Sequence, residues 1–592
     1  MKIFTGIKNK NLHPLKSINH FFYRYRWRLL LGFIFVSLNS VLLTFPGVYI
    51  GKATELFRSG NNDKSAYLNC ALMIILFSLS GAFFMFLMRQ TLIIMSRLIE
   101  FDQKNEIFRH YEILDQDFYK KNYTGDLMNR ISEDVSRVRM YTGPAIMYLA
   151  NTFATIVTSI IFMVNVDWRM AIVVLAPLPI LSVIIYKVSA KINQRSTAVQ
   201  EQLSNITSLT QEAFSGIRTI KSYNKESYFS EKLNDSSEEY KKKSLALIRT
   251  EAMFQPFMVF MVGLSLILAV YMGGVLVEKN AIRAGDISSY VFYIFRLTWP
   301  FASLGWVTSL IQRASASQRR INEFLKYKPS ILNSPTSKKI TMSGAIEFTN
   351  VSYTYPETGK QALKNISFHL PAGHSLGIIG KTGSGKSTIG SLIARIYDVQ
   401  SGKLKVDGEL LENHDLYELR KNIGYVPQDV FLFSDSVENN IAFGISDRHD
   451  STHSKEKIIL AAQKAVVHEN IMALPRQYET VIGERGVTLS GGQKQRISIA
   501  RALMKEPKIL IFDDCLSAVD TETEEKILSN LRSETGKCTT IFISHRVSGV
   551  KNCEKIIFLK DGQIIEEGNH ESLLKKGGEY ATLYELQTLE RQ

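Results

Sequence analysis

Eight residues, GKTGSGKS from Gly380 to Ser387, combine glycines, a lysine and a hydroxyl in the spacing G-x-x-x-x-G-K-[ST], which suits phosphate binding. Gly380, Gly383 and Gly385 let the backbone curl, so that the consecutive N–H groups from Lys381 through Thr382 and Gly383 to Ser384 surround one anion. Lys386 brings a positive charge to β- and γ-phosphates, and the Ser387 hydroxyl, next to Thr388, is a hard oxygen ligand for Mg²⁺. A second stretch, ILIFDD, ends an apolar run in two adjacent carboxylates. Asp513 suits a water-mediated Mg²⁺ contact, and a second carboxylate, Asp514, follows it directly. In a third stretch, Leu489, Ser490, Gly491, Gly492 and Gln493 form a second glycine-rich helix start able to cradle phosphate.

Each of these turns needs a strand before it or a helix behind it. SLGII (375–379) reads as a buried strand and STIGSLIARIY (387–397) as an amphipathic helix, while KILIFD (508–513) reads as a second buried strand. The fold class expected of this half is therefore an α/β P-loop nucleotide-binding domain with a helical subdomain, over residues 345–592. A polar connector, residues 329–344, precedes it.

The other half is different in kind. At 592 residues the chain exceeds one hydrophobic core, and residues 27–328 hold apolar runs of membrane-spanning length. Six are expected: Trp27–Ile50, Tyr67–Met88, Pro144–Val166, Met170–Tyr186, Phe254–Val277 and Ile287–Ile311, the fourth short and interrupted by Pro177 and Pro179. Residues 1–26 are basic and end in NHFFYRYRW, which suits an interfacial helix or a simple basic anchor. The run behind them is too long for a signal peptide. Basic residues concentrate before the first span and in the connections after the second and fourth, for example Arg130, Arg137, Arg139 and Lys241–Lys243, which places both termini and those connections in the cytoplasm. The two connections are patterned as helical continuations, broken by FYKKNYTGDLMNRISEDV (118–135) and QEAFSGIRTIKSYNKE (211–226), each suited to a short helix docking on another domain.

Composition excludes several classes. The net charge of +15 is scattered, with no basic, aromatic-interleaved patch, which argues against nucleic acid as a partner. Cys70, Cys515, Cys538 and Cys553 have no CxxC spacing, so neither a disulfide framework nor a zinc site is expected.

With GKTGSGKST, LSGGQ and ILIFDD in this order behind six spans, the chain resembles the ATP-binding cassette exporters over its whole length. The resemblance implies ATP and Mg²⁺ as ligands and assigns further roles. Tyr355 in YTYPE is similar to the aromatic that stacks on adenine, and Gln428 in YVPQD to the Q-loop residue that senses Mg²⁺. GERG (483–486) resembles a segment exporters carry before the signature, Ser517 and Asp520 in SAVD resemble the D-loop, and His545 in FISHR resembles the switch histidine at the γ-phosphate. It also implies a half-transporter in a bacterial cell membrane whose signature faces a partner chain's P-loop, with two coupling regions at 118–135 and 211–226. The catalytic set it implies is Asp514, His545, Gln428 and Lys386, with Mg²⁺ held by Ser387, Gln428 and Asp513.

One residue departs from the family pattern. The position after the Mg²⁺-binding aspartate is usually glutamate, and here it is Asp514. The shorter side chain places its carboxylate about 1.5 Å back, one carbon–carbon bond. The site on this chain's own P-loop is therefore expected to bind ATP and hydrolyse it slowly, the pattern of one subunit of heterodimeric exporters. A homodimer with two slow sites is the alternative. For cargo, Tyr290, Tyr293, Phe295 and Arg296 in the sixth span are candidate cavity residues for an amphipathic or hydrophobic compound or a lipid; aromatic packing and arginine snorkelling are the competing reading. A lipid flippase, a membrane-anchored P-loop ATPase acting on DNA, and a non-transporting regulator are the other functional classes. The hundred or so residues between Lys386 and Ser490 leave no room for the long coiled coils of the DNA-directed class.

Overall fold

The computed structural model describes residues 14–60, 63–334, 337, 341–445, 454–483, 489–516, 519–532 and 538–589. The chain divides into two compact units: Met1–Ile113 with Tyr123–Lys328, and Leu114–Asn122 with Pro329–Gln592.

The first unit is all helix. Among the described residues, five helical stretches are long and apolar enough to cross a membrane: Arg26–Arg58, Lys64–Ile113, Thr124–Val166, Trp168–Ser215 and Glu226–Glu278. The sixth expected span lies in a further helix, Ala284–Leu325, which is not among those five. Several helices far exceed a bilayer's thickness: Lys64–Ile113 has 50 residues, about 75 Å at 1.5 Å per residue. The helical continuations read from the sequence are thus present.

Prolines set the breaks. Pro46 and Pro177 each sit in the first turn of a new helix, Phe45–Arg58 and Pro177–Ser215, where the missing N–H costs nothing. The second of these breaks is the one expected in the short fourth span. Glycine permits the closest helix crossing: a Cβ on Gly285 would lie 2.0 Å from the Gly51 carbonyl oxygen. That contact is fastened by Ser289 Oγ donating to Gly47 O (2.8 Å) and the Gly285 N–H donating to Glu55 Oε2 (3.1 Å). Asp134, only 4 % exposed, is neutralised by Arg320, whose Nε donates to it at 2.9 Å. Of the two docking stretches, the second forms the short helix Ile217–Ser222 after Gly216, and the first forms Gln116–Lys121 and Thr124–Asn129. The N-terminal aromatic stretch forms the helix Asn19–Arg24, tied down by Arg24 and Tyr25, which both donate to Asp102 Oδ2 at 2.9 Å.

The second unit carries two sheets. The strands are β1 (Ile346–Thr354), β2 (Gln361–Leu370), β3 (Ser375–Gly380), β4 (Ser401–Val406), β5 (Glu409–Leu410), β6 (Ile423–Val426), β7 (Ile509–Asp513), β8 (Thr539–Ser544), β9 (Lys555–Lys560) and β10 (Gln563–Gly568). An antiparallel sheet has the order β2-β1-β4-β5, and a six-stranded sheet the order β10-β9-β3-β8-β7-β6, parallel except for the β9–β10 hairpin. Strands β3 and β7 are buried at every residue, as strands covered on both faces must be. Because β3, β8 and β7 are neighbours in one parallel sheet, their carboxyl ends share one edge: Ile379 pairs with Ser544, and Asp513 with Ile543. Ligands bind at that edge of an open α/β sheet. All four cysteines are buried and none forms a disulfide.

Candidate nucleotide site

At this edge lies a cleft of about 240 Å³, lined by residues that include Tyr355, Thr382, Gly383, Gly385, Lys386, Ser387, Thr388, Gln428, Asp513, Asp514 and His545. Most of the nucleotide and catalytic residues chosen from the sequence thus converge, although Tyr355 and His545 are separated by most of the cassette's length.

The loop after β3 is built for an anion. Gly380, Gly383 and Gly385 have φ of 155°, 81° and 100°, a region unfavourable to any residue with a Cβ. A Cβ on Gly385 would also sit 2.3 Å from the Ala362 carbonyl oxygen. Gly385 caps the helix Lys386–Ile393, whose first turn points its N–H groups into the cleft. Ser384 Oγ is buried without a hydrogen-bond partner, the kind of orphaned group that a phosphate oxygen satisfies. Lys386 Nζ donates to the carbonyls of Gly380 (2.7 Å) and Lys381 (2.9 Å), which holds the ammonium inside the curl. Burial pushes the Lys386 pKa below the ordinary lysine value, against the opposing pull of Asp514 and Asp513.

The oxygens around Asp513 fit Mg²⁺. Ser387 Oγ donates to Asp513 Oδ1 at 2.7 Å, and the Tyr425 hydroxyl donates to Oδ2 at 2.9 Å. Burial raises the Asp513 pKa, and those two hydrogen bonds oppose the rise. A cation beside this carboxylate would relieve the desolvation that raises it. Among the described residues no group of three or more His, Cys, Asp or Glu could hold a metal. A serine hydroxyl and one carboxylate, completed by waters and phosphate oxygens, is the arrangement that hard, strongly hydrated Mg²⁺ accepts.

Asp514 is held differently from Asp513. Its backbone has φ of 47°, and its N–H donates to Ile543 O at 2.8 Å. Its two carboxylate oxygens lie 2.8 and 2.9 Å from His545 Nδ1. A carboxylate only accepts, so Nδ1 carries the proton and Nε2 is left as the histidine's other functional atom. The loop bearing His545 is gripped by Gln587, whose Nε2 donates to His545 O (2.8 Å) and whose Oε1 accepts from the Val547 N–H (2.8 Å). It is also tied to the buried Glu524, whose Oε1 accepts from Ser548 Oγ at 2.9 Å.

Tyr355 meets the cleft near its hydroxyl, which bonds Thr388 Oγ1 at 3.0 Å. Gln428 lines the cleft and is exposed, two residues past β6.

None of the signature residues lines this cleft. Ser490 caps the helix Gly491–Leu503 in a capping box: the Gln493 N–H donates to Ser490 Oγ (3.3 Å), and the Ser490 N–H donates to Gln493 Oε1 (3.0 Å). Leu489 is buried as an anchor, whereas Ser490 and Gly491 are exposed. This helix start is therefore capped and exposed, and it lies outside the cleft. Asp520 Oδ1 caps the following helix by accepting from the Thr523 N–H at 2.9 Å. Ser517 and Glu484–Gly486 lie outside the described residues, while Gly483 has φ of 100°.

The candidate cargo residues are dispersed. Tyr290 is fully buried and donates to the carbonyls of Met163 (2.7 Å) and Asp167 (2.8 Å). Tyr293 is 1 % exposed within the same core, whereas Phe295 is 59 % exposed. Arg296 donates through Nη2 to Ser40 O at 2.9 Å. Tyr290 and Tyr293 thus serve packing in this chain, and the sequence carried no signal that separated this from lining a cavity.

Sequence reading missed Tyr425, Gln587 and Glu524. Tyr425 belongs to a strand whose neighbour is apparent only from sheet order, and Gln587 and Glu524 reach the site from helices with no motif of their own.

Comparison with known proteins agrees with this geometry. The family described as "ABC transporter transmembrane region" matches residues 29–301, and "ABC transporter" matches residues 363–517. A probable multidrug resistance ABC transporter ATP-binding/permease protein, YheI of Bacillus subtilis (strain 168), is 34 % identical over 97 % of this chain and 98 % of its own length. The multidrug resistance-like ATP-binding protein MdlA of Escherichia coli (strain K12) is 32 % identical over 96 % of both chains. An ATP-dependent lipid A-core flippase of Haemophilus influenzae (strain 86-028NP) is 33 % identical over 82 % of both. Among solved structures, a bacterial Atm1-family ABC exporter with ATP bound superposes with a TM-score of 0.77 at 25 % identity, covering 95 % of this chain and 98 % of that one.

Proposed function

The chain belongs to the ATP-binding cassette transporters and is a bacterial membrane exporter that couples ATP hydrolysis to transport, and from that premise we propose that it is the slow-site half of a two-chain pump. Half-transporters of this kind function as dimers. The exposed, precapped signature of Ser490 and Gly491 completes the partner's ATP site, and the partner's signature completes the cleft at Gly380–Ser387.

In this chain's cleft the backbone of the loop after β3 and Lys386 would bind the phosphates, while Ser387, Asp513 and Gln428 would hold Mg²⁺. When bound, the ion supplies charge neutralisation between the β- and γ-phosphates. Tyr355 stacks on the base, and His545 presents Nε2 to the γ-phosphate. Asp514 would have to orient the attacking water, but its carboxylate is drawn back onto His545 and is one methylene short. That pairing is the observation that carries the slow-site reading. Six spans, counted with Ile287–Ile311, leave both termini on one side of the membrane, the basic residues of the N-terminus and the long connections favour the cytoplasm for that side, and domain closure on ATP gives alternating access.

The cargo we propose is an amphipathic or hydrophobic small molecule; relatives named as multidrug transporters favour this, and the flippase relative supports a lipid as the second reading. Phe295, exposed, and Arg296, an intramembrane cation whose Nη2 is held by Ser40 O but whose buried Nε has no hydrogen-bond partner among the described residues, are the two candidate cargo residues best suited to such a role.

The test is affinity purification of the tagged chain from its native host, followed by dye efflux from inverted vesicles. A distinct half-transporter with Glu after its Walker aspartate co-purifies, and the pair transports where the single chain does not. A chain that purifies as a self-dimer and pumps at the pair's rate overturns the heterodimer.

A further inference from the structure

Residues Leu114–Asn122 lie between long membrane-unit helices in sequence, yet they group with the cassette. The helix Gln116–Lys121 is fixed there by its cap residue: Asp115 Oδ1 accepts from the Phe118 N–H (3.2 Å), and Asp115 Oδ2 accepts from the Ser330 N–H (2.7 Å). Phe118 is 2 % exposed beneath it. This anchoring places Lys120 Nζ 4.9 Å from the ring centroid of Tyr355 and 5.0 Å from that of Tyr397. Tyr353 completes a three-ring cage, with centroids 5.2 Å from Tyr355 and 5.5 Å from Tyr397. Tyr355 lines the nucleotide cleft, whereas Lys120 and Tyr397 do not, so the ammonium reaches the Tyr355 ring from outside the cleft.

We propose that Lys120 is a positioning residue for base recognition, acting on a bound nucleoside triphosphate through the Tyr355 ring. A cation against a tyrosine ring draws π-density toward itself, which favours an electron-rich purine stacked on the same ring. The effect is reciprocal by linkage: a base bound on Tyr355 strengthens the hold on Lys120 and so on the helix Gln116–Lys121. Base occupancy is thereby communicated to a segment whose flanking chain is the membrane unit's helices. Partial burial works against the charge on Lys120, but Tyr397 and Glu357 outweigh it, so the ammonium is held above the ordinary lysine value. The lysine is charged at every working pH.

This inference rests on Tyr355 being the adenine platform, and the experiment separates the two. Equilibrium binding of ATP and of inorganic triphosphate, which has no base, is measured on the full-length assembled transporter for wild type, Lys120→Met, Lys120→Arg and Tyr355→Ala. Lys120→Met weakens ATP binding about two- to fivefold, the scale of a cation–π contact at a partly exposed site. It leaves triphosphate binding unchanged, and Lys120→Arg restores the ATP affinity. ATP also slows amide hydrogen exchange in 116–121 more in wild type than in Lys120→Met. Equal weakening of both ligands, or no weakening of ATP binding while Tyr355→Ala weakens it, overturns the role of Lys120. An unchanged ATP affinity in Tyr355→Ala overturns the platform and the inference together.

Discussion

Replacing Asp514 by glutamate adds one methylene and asks whether the carboxylate's reach limits this chain's own ATP site. In the structure both carboxylate oxygens of Asp514 sit within 2.9 Å of His545 Nδ1, so the carboxylate is turned toward the histidine. Glutamate extends the carboxylate by about 1.5 Å. Misplacement of a reacting group by about 1 Å costs roughly a hundredfold in rate, so the substitution is expected to raise the turnover of this site about a hundredfold. That corresponds to about 2.7 kcal/mol of transition-state stabilisation. The left-handed backbone at this position, φ of 47°, suits aspartate better than glutamate and trims the gain without reversing it. KM for ATP should stay within about twofold, because the phosphate loop and Asp513 are untouched. The assay is steady-state phosphate release by the purified assembled transporter, with Lys386→Ala in this chain as the control that subtracts turnover at the partner's site and by contaminating ATPases. An Asp514→Glu turnover within about threefold of wild type would refute the argument: the aspartate would then already reach the water by local adjustment.

Three further outcomes follow from the same geometry. Tyr425→Phe removes the 2.9 Å hydrogen bond to Asp513 Oδ2 and should weaken Mg²⁺-dependent ATP binding about tenfold, read by titrating Mg²⁺ at fixed ATP; an unchanged midpoint would show that Tyr425 does not orient this carboxylate. Because burial raises the Asp513 pKa, the carboxyl keeps its proton to higher pH than an ordinary aspartate, and Mg²⁺ must displace that proton. Apparent Mg²⁺ affinity should therefore rise with pH through that raised pKa and level off above it, with proton release there visible as a buffer-dependent binding enthalpy. Gly385→Ala forces a Cβ to 2.3 Å from the Ala362 carbonyl at φ of 100° and should cost about 1–3 kcal/mol, lowering the cassette's melting temperature and abolishing ATP's stabilisation of it.

What the sequence by itself determined was local. The phosphate loop is legible because its glycines answer a backbone demand within eight residues, and the helix it opens follows at once. The signature is legible for the same reason, since Ser490 and Gln493 are a capping box three residues apart. Long apolar runs announce membrane helices, and Pro177 announces the break in the fourth because no other residue type loses its N–H. The substitution at Asp514 was readable as a departure from a pattern, and with it the expectation of slow hydrolysis.

Only the tertiary structure decided what each side chain faces. His545 meets Asp514 across 31 residues, Tyr425 meets Asp513 across 88, and Gln587 meets His545 across 42, because sheet order places β8 beside β7 and folds the last helix back. Tyr290 and Tyr293 are aromatics of a kind that more often packs than lines a cavity, but only the Met163 and Asp167 carbonyls showed what the Tyr290 hydroxyl bonds. Lys120, one of many lysines in a polar connection, gained a role from three tyrosines that lie well over two hundred residues away in the chain. Spacing encodes what a backbone does within a few residues, whereas contacts between distant side chains are set by which strands become neighbours, and no short window of sequence contains that information.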